Sequence, residues 1–206
     1  YVVWNNNCGT PEVYSRMWNG SAWVAAGTGA DSGGGISNTP SRYSAEETIT
    51  VGPDGVAYVA WHDGGWTNDT DIYVRRLIGD DWQEVGAGSA SGIGISPPVN
   101  LSMFPHIAVS PDNVPYVAWR DMDSGTWQIY IRMWNGSSWQ EIGTGSASGV
   151  GISDFASDVR VPAIAFGSDN APYVSWTEVP GGVGGFYVRR WNGYVWEELG
   201  SGPISG

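Results

Sequence analysis

The chain has 206 residues, of which 41% are hydrophobic and only 15% are charged, so it is not a disordered tail. Its 31 glycines, 12 prolines and 13 tryptophans argue against a helical bundle. The formal net charge of −12 argues against a nucleic-acid partner and against binding to anionic membranes, because an acidic surface repels phosphate groups.

Two further exclusions follow from the residue content. Cys8 is the only cysteine, so neither an internal disulfide nor a zinc site built on cysteine pairs can form. No apolar run approaches the roughly 18 residues that a membrane-spanning helix needs, so we expect no membrane insertion.

An internal repeat dominates the sequence. A Tyr-Val-x-Trp motif recurs about every 57 residues and ends at Trp4, Trp61, Trp119 and Trp176. Each copy is followed by a motif such as IYIRMWNGSSW, which ends at Trp23, Trp82, Trp139 and Trp196. Three of the four copies are preceded by a motif such as HIAVSPDN. This self-similarity indicates tandem units that stack on one another.

Each unit predicts four short strands in chain order. An Ile-Ala-Val strand is followed by the Tyr-Val-x-Trp strand, then by an Ile-Tyr-Val-Arg strand, and last by a Trp-Gln-Glu strand. Pro-Asp-Asn and Asn-Gly pairs between the strands are typical of tight turns. We therefore predict a single domain, 1–206, built from units at roughly 1–46, 47–104, 105–161 and 162–206.

The repeat resembles the tandem β-propeller repeats of large secreted bacterial proteins, and more distantly the propellers of sialidases and lectins. This resemblance implies an all-β fold: a β-propeller of four-stranded antiparallel blades, with about 57 residues per blade and four blades, one of them incomplete. It also implies an extracellular or cell-surface location. The sialidase repeat box has a shorter Asp-to-Trp interval than Asp112 to Trp119 here, so no catalytic residues carry over.

The order of strands within a blade is left open by the sequence. If the Ile-Ala-Val strand is innermost, which suits its small residues, the first blade lacks its inner strand. A second copy (a homo-oligomer) or a longer parent chain is then expected to complete the ring, because open strand edges are unfavourable. If the Tyr-Val-x-Trp strand is innermost, only an outer strand is missing and a four-bladed monomer is reasonable.

Candidate ligand-binding residues lie in the long connections after the Tyr-Val-x-Trp strands, because loops on a rigid scaffold commonly carry binding. Two of these loops combine a tryptophan outside the repeat positions with carboxylates. The residues are Trp66, Asp69, Asp71, Asp121, Asp123 and Trp127. A sugar can stack on such a ring while carboxylates accept hydrogen bonds from its hydroxyls. Alternatively, both tryptophans pack over their own loops.

The same carboxylates supply some oxygen ligands for Ca²⁺, but neither loop matches an EF-hand. We therefore predict no cofactor and interpret these loops as solvated acidic segments. An arginine recurs in every unit, at Arg16, Arg75, Arg132 and Arg189. Because it is present in every copy, a structural role is favoured over a ring of arginines that binds anions.

The sequence offers little support for catalysis. His62 and His106 are the only histidines, neither recurs, and no catalytic triad can be assembled. We therefore predict a non-enzymatic, extracellular binding or scaffold propeller, with a glycan or cell-surface polymer as ligand on the long-loop face. The alternatives are a purely structural repeat of a surface assembly and, less favoured, a sialidase-like glycoside hydrolase.

Overall fold

The computed structural model describes residues 1–6, 9–40, 42–64, 69–98, 101–153, 159–178 and 185–200. These residues form fifteen strands, which group into four blades in chain order. Blade 1 holds β1 (Val2–Asn5), β2 (Val13–Trp18) and β3 (Trp23–Ala25). Blade 2 holds β4 (Ser44–Val51), β5 (Ala57–Asp63), β6 (Asp71–Ile78) and β7 (Asp81–Glu84). Blade 3 holds β8 (Ser102–Val109), β9 (Pro115–Asp121), β10 (Gln128–Trp134) and β11 (Trp139–Glu141). Blade 4 holds β12 (Ala163–Phe166), β13 (Pro172–Glu178), β14 (Gly185–Trp191) and β15 (Trp196–Glu198).

Each blade is an antiparallel meander whose strands pair in sequence order. Three blades have four strands and blade 1 has three, and no α-helix occurs in the described ranges. This architecture confirms the predicted all-β propeller with one incomplete blade. None of the described segments provides a helix long and apolar enough to cross a membrane.

The tight turns form where the sequence places their turn chemistry. In the β10–β11 hairpin, the Asn135 side-chain oxygen accepts hydrogen bonds from the backbone N–H groups of Ser137 and Ser138, at 2.9 and 2.8 Å. Gly136 follows with a φ of 96°, which glycine adopts without a steric penalty. The β8–β9 turn uses Asn113 at a φ of 62°, a left-handed conformation that asparagine tolerates.

The Ile-Ala-Val strands are the innermost ones. Strand β4 contacts β1 on one side and β8 on the other, and β8 contacts β12, so these strands line the axis. Strands β7, β11 and β15 form the outer rim. Among the described residues, blades 1 and 4 share no extensive strand contact, and the four blades form an open arc.

Tryptophans and aliphatic side chains fill the space between neighbouring blades. Trp61 packs with Val13 of blade 1, Trp119 packs with Ile72 of blade 2, and Trp176 packs with Ile129 of blade 3. All three tryptophans are almost fully buried. Burial of one such ring contributes about 5 kcal/mol of transfer free energy, so these junctions are the main apolar core.

Two repeated hydrogen bonds join each blade to the preceding one. The recurring arginine donates to a backbone carbonyl in the preceding blade, and the closing tryptophan donates to a second carbonyl there. The arginine bonds are Arg75–Ile36, Arg132–Ile95 and Arg189–Ile152, at 2.7, 2.6 and 2.7 Å. The tryptophan bonds are Trp82–Ala26, Trp139–Val85 and Trp196–Ile142, at 2.6, 2.9 and 2.9 Å. Three of the four recurring arginines therefore connect blades.

Candidate functional site

The acidic residues of the blade 2 loop surround a single arginine. Arg42 contacts Asp63 at 2.8 Å, Asp71 at 3.0 Å and the exposed Asp69 at 3.6 Å. Burial raises the pKa of Asp71 to about 6, although the Arg42 guanidinium opposes the shift. Asp71 therefore forms an internal ion pair with Arg42. Trp66 lies outside the described residues.

The acidic residues of the blade 3 loop differ from one another in exposure. Asp121 is 1% exposed and accepts hydrogen bonds from Ser102 Oγ at 2.7 Å and Trp119 Nε1 at 2.8 Å. Burial raises the pKa of Asp121. Asp123 is exposed. The Trp127 ring is half-buried, and the central guanidinium carbon of Arg120 lies 3.7 Å from the ring centroid. This contact is expected if the ring packs over its own loop.

The ligand-binding role of these loop residues stays a prediction, and so does the calcium hypothesis. In the described ranges, no group of three or more His, Cys, Asp or Glu side chains is placed to hold a metal ion. The carboxylates of the two loops are occupied largely by protein donors. The same end of the blades carries a second candidate site.

A cavity of about 250 Å³ opens on the inner strands at the long-loop end, and we call it the axial pocket. Its wall is built by the same part of successive blades. Residues that line it include Asn5, Glu46, Glu47, Phe104, His106 and Val161. Glu46 in blade 2, Phe104 in blade 3 and Val161 in blade 4 occupy corresponding repeat positions. One repeat position therefore supplies a carboxylate, an aromatic ring and an aliphatic side chain to one cavity.

A β-bulge interrupts each of the inner strands β4 and β8 where they line the axial pocket. The pairing register shifts between Ala45 and Thr48 in β4, and between Met103 and His106 in β8. Glu46 and Phe104, inside these bulges, each have a φ of 54°. Such a left-handed conformation costs about 1–2 kcal/mol for a residue with a side chain.

The backbone strain at Glu46 and Phe104 distinguishes the axial pocket from the rest of the described chain. The described chain contains three other residues with side chains at positive φ, and all three are asparagines: Asn38, Asn113 and Asn170. Asparagine accepts this conformation readily, whereas Glu and Phe do so rarely. Strained residues of this kind cluster at ligand-binding and active sites.

The polar groups of the axial pocket include two adjacent carboxyl groups and an imidazole. Glu47 accepts a hydrogen bond from Asn5 Nδ2 at 3.1 Å, and burial raises its pKa above the usual range. His106 Nδ1 accepts a hydrogen bond from the Ile164 backbone N–H at 3.3 Å, and burial lowers its pKa. The pocket therefore combines a carboxyl group whose pKa is raised, an exposed carboxyl group at Glu46 and an imidazole whose pKa is lowered.

Sequence reasoning missed this pocket because it sought candidate residues only in the loops after the Tyr-Val-x-Trp strands. A signal was present: the Glu46-Glu47 pair occupies the position of Phe104-Pro105 in the next repeat. Two adjacent carboxylates in an inner strand break the repeat, and function commonly departs from repeat symmetry. The sequence analysis expected binding at the long-loop end, and the axial pocket opens at that same end.

No protein-family model and no curated protein sequence matches the chain. Several solved structures share its fold. An ulvan lyase of polysaccharide lyase family 25 matches with a TM-score of 0.56 and 12% identity, over 91% of this chain and 48% of that one. An endo-arabinase from Bacteroides thetaiotaomicron matches with a TM-score of 0.55 and 12% identity, over 97% and 75% of the two chains. A thermostable family-43 glycoside hydrolase matches with a TM-score of 0.51 and 13% identity, over 99% and 73%.

These similarities show the fold, and the chain spans about half the length of the ulvan lyase. They also correct one prediction from the sequence. The absence of a recognisable catalytic motif led to the prediction of a non-enzymatic protein, and that prediction is wrong. All three structures described above are carbohydrate-cleaving enzymes with the same fold. A missing motif is a weak guide, because enzymes that share a fold need not share the sequence spacing of their catalytic residues.

Proposed function

We propose that the protein acts on carbohydrate, and that the axial pocket is where it binds a neutral glycan. The observation that carries this proposal is the pair of strained bulge residues, Glu46 and Phe104, in the wall of one cavity. Strain at two successive blades is retained only where the surrounding structure compensates for it. The shared fold of carbohydrate-cleaving enzymes supports the same ligand class.

The chemistry of the pocket suits a neutral sugar. The exposed Glu46 carboxylate accepts hydrogen bonds from hydroxyl groups, and the Phe104 ring offers an apolar surface to the C–H face of a pyranose or furanose. The net charge of −12 disfavours sulfated and uronic-acid polymers, which are themselves anionic. We place the protein outside the cell or at the cell surface, where it would meet such polymers.

Calorimetry with neutral polysaccharides, chosen after a glycan array, tests the binding site. We expect Phe104→Ala and Glu46→Gln each to weaken binding about tenfold, which corresponds to the loss of one good contact. Trp127→Ala is the matched control on the long-loop face. If Trp127→Ala abolishes binding and Phe104→Ala does not, the loop residues form the site. If the wild type binds no neutral glycan, the proposal fails.

A second function, cleavage of a glycosidic bond, is favoured by Glu47. A carboxyl group whose pKa is raised by burial remains protonated at a higher pH and is suited to protonate a leaving-group oxygen. We assign Glu47 as the acid that protonates the leaving-group oxygen, while a water molecule that gives its proton to the Glu46 carboxylate attacks the anomeric carbon.

Turnover of neutral oligosaccharides, measured by release of reducing ends, tests the cleavage. We expect Glu47→Gln to lower kcat by at least a hundredfold while binding changes little, because an amide cannot donate the catalytic proton. The basic limb of the wild-type pH profile should disappear in residual Glu47→Gln activity. Wild-type protein that binds a glycan but never cleaves it would contradict the assignment of Glu47 and leave the binding proposal intact.

A further inference from the structure

The two ends of the arc carry complementary halves of the same blade junction. Each internal junction has a leading face, which belongs to the later blade, and a trailing face, which belongs to the earlier blade. Among the described residues, no blade precedes the leading face of blade 1 and no blade follows the trailing face of blade 4. The contacts at the three internal junctions show what each face requires.

The trailing face of blade 4 is exposed where its equivalents are buried. Phe186 is 59% exposed, whereas Ile72 and Ile129 at the same position of blades 2 and 3 are 0% exposed. Leu199 is 40% exposed, whereas its equivalents Val85 and Ile142 are buried. In blades 2 and 3 the next blade and the blade's own Gly/Ser loop, which holds Ile95 or Ile152, cover these side chains. Among the described residues, this face of blade 4 has no such cover.

The leading face of blade 1 shows the matching exposure. Trp18 and Trp23 are 53% and 48% exposed. Their rings pack edge-on, with the ring centroids 5.9 Å apart. Trp23 is the repeat equivalent of Trp82, Trp139 and Trp196, each of which donates its indole N–H to the preceding blade. Blade 1 therefore carries the donor of a junction without its acceptor.

A glycine supplies the second match between the two faces. At the blade 2–3 and 3–4 junctions, the glycine after the outer strand lies against a tryptophan ring of the next blade. A Cβ atom on Gly86 would lie 2.2 Å from Trp134, and one on Gly143 would lie 2.6 Å from Trp191. The equivalent Gly200 of blade 4 has nothing within 4 Å. Trp18, the equivalent of Trp134 and Trp191, fits that open position.

We propose that the leading face of blade 1 docks on the trailing face of blade 4 of a second copy of this chain. In this arrangement Trp23 Nε1 donates to the Leu199 carbonyl, Trp18 packs on Gly200, and Phe186 is covered as Ile72 and Ile129 are. The interface is head-to-tail, because two different faces of the molecule meet. The second copy is the occupant because its leading face matches blade 4 as each internal blade matches its neighbour.

Mass measurement over a concentration series tests the association. We expect light scattering to show multiples of the 22.0 kDa chain as the concentration rises. Phe186→Glu places a charge in the trailing face and should abolish association, because an unpaired buried charge is strongly unfavourable. Ile93→Glu is the matched control, since Ile93 is 48% exposed in a loop of the internal blade 2. It should associate like the wild type.

Mixing two blocked variants tests the head-to-tail geometry. Trp18→Glu blocks only the leading face, and Phe186→Glu blocks only the trailing face, so each alone should be monomeric. A mixture retains one intact face of each kind and should form a single heterodimer that grows no further. Circular dichroism checks that both variants are folded.

Two results overturn the proposal. One is a wild-type chain that stays monomeric at every concentration, which would leave both faces to further repeats of a longer chain. The other is association by Trp18→Glu alone, since that would require two trailing faces to meet.

Discussion

His62 shows how a single residue can break the repeat without joining a site. It occupies the position of Asn5, Arg120 and Thr177 in the other blades, and it is fully buried. Its ring stacks on Tyr43 with an interplanar angle of 15°. Burial lowers the pKa of His62 to about 4, so the imidazole is neutral when the protein is folded near neutral pH.

This burial predicts a loss of stability in acid. The unfolded chain takes up a proton on His62 near pH 6.5, whereas the folded protein does so only near pH 4. As the pH falls through that window, His62 should lower the free energy of unfolding by about 3 kcal/mol.

Urea titrations of wild type and His62→Phe at several pH values measure this effect. The phenyl ring preserves the stacking on Tyr43 and cannot titrate, so the Phe variant should lose less stability between pH 6.5 and 4. The comparison is needed because Asp71 acts in the opposite direction. Its pKa of about 6 adds stability as the pH falls from 6 to 4. Parallel pH profiles for the two proteins would contradict the role assigned to His62.

The blade junction is the element that the repeat encodes most consistently. Gly143 follows the outer strand β11 of blade 3. It has a φ of 80° and lies against the Trp191 ring of blade 4. Gly145, two residues later, has a φ of 82° and nothing within 4 Å. The two glycines therefore share a backbone requirement and differ in what surrounds them.

Alanine substitutions at these glycines separate the two effects. Both Gly143→Ala and Gly145→Ala should lose about 1 kcal/mol of stability from the left-handed backbone. Gly143→Ala should lose about 1–3 kcal/mol more, because its Cβ would push against the Trp191 ring. Denaturant unfolding measures the difference. Equal losses of stability in the two variants would contradict this prediction, because they would show that the Trp191 ring moves aside for the added Cβ without a loss of stability.

At the scale of the whole molecule, the arc makes stability depend on position. Each blade contacts its neighbours in the chain. Among the residues that the structure describes, blades 2 and 3 are therefore covered on both faces, whereas blades 1 and 4 are each covered on one. Strands β6 and β10 are therefore shielded by two junctions. Repeat architectures of this kind are stabilised by nearest-neighbour contacts.

Hydrogen exchange should follow this pattern. We expect the amides of β6 and β10 to exchange about ten times or more slowly than the corresponding amides of β2 and β14, because the end blades can open alone. The measurement should be made on dilute protein, where association does not cover the end faces. Uniform protection across the four blades would contradict a stability that depends on neighbours.

Much of the fold was predictable because the repeat states it four times. The Tyr-Val-x-Trp and Asn-Gly motifs predicted strands and turns, and both occur where expected. The site was harder to predict. Asp121 looked available in a polar loop, yet in the fold Trp119 and Ser102 donate to it. Nothing in the local sequence around Asp121 records those donors, since Ser102 lies on a different strand.

The amino-acid sequence by itself determined the repeating unit, its four strands and the end of the blade that carries variable loops, because periodicity and turn chemistry are local properties. Tertiary structure alone decided that the Ile-Ala-Val strand is innermost and that Glu46 and Phe104 are strained around one cavity. These features depend on how close the blades approach one another around the axis. That distance is set by packing between residues roughly 57 positions apart, and no short segment of the chain contains it.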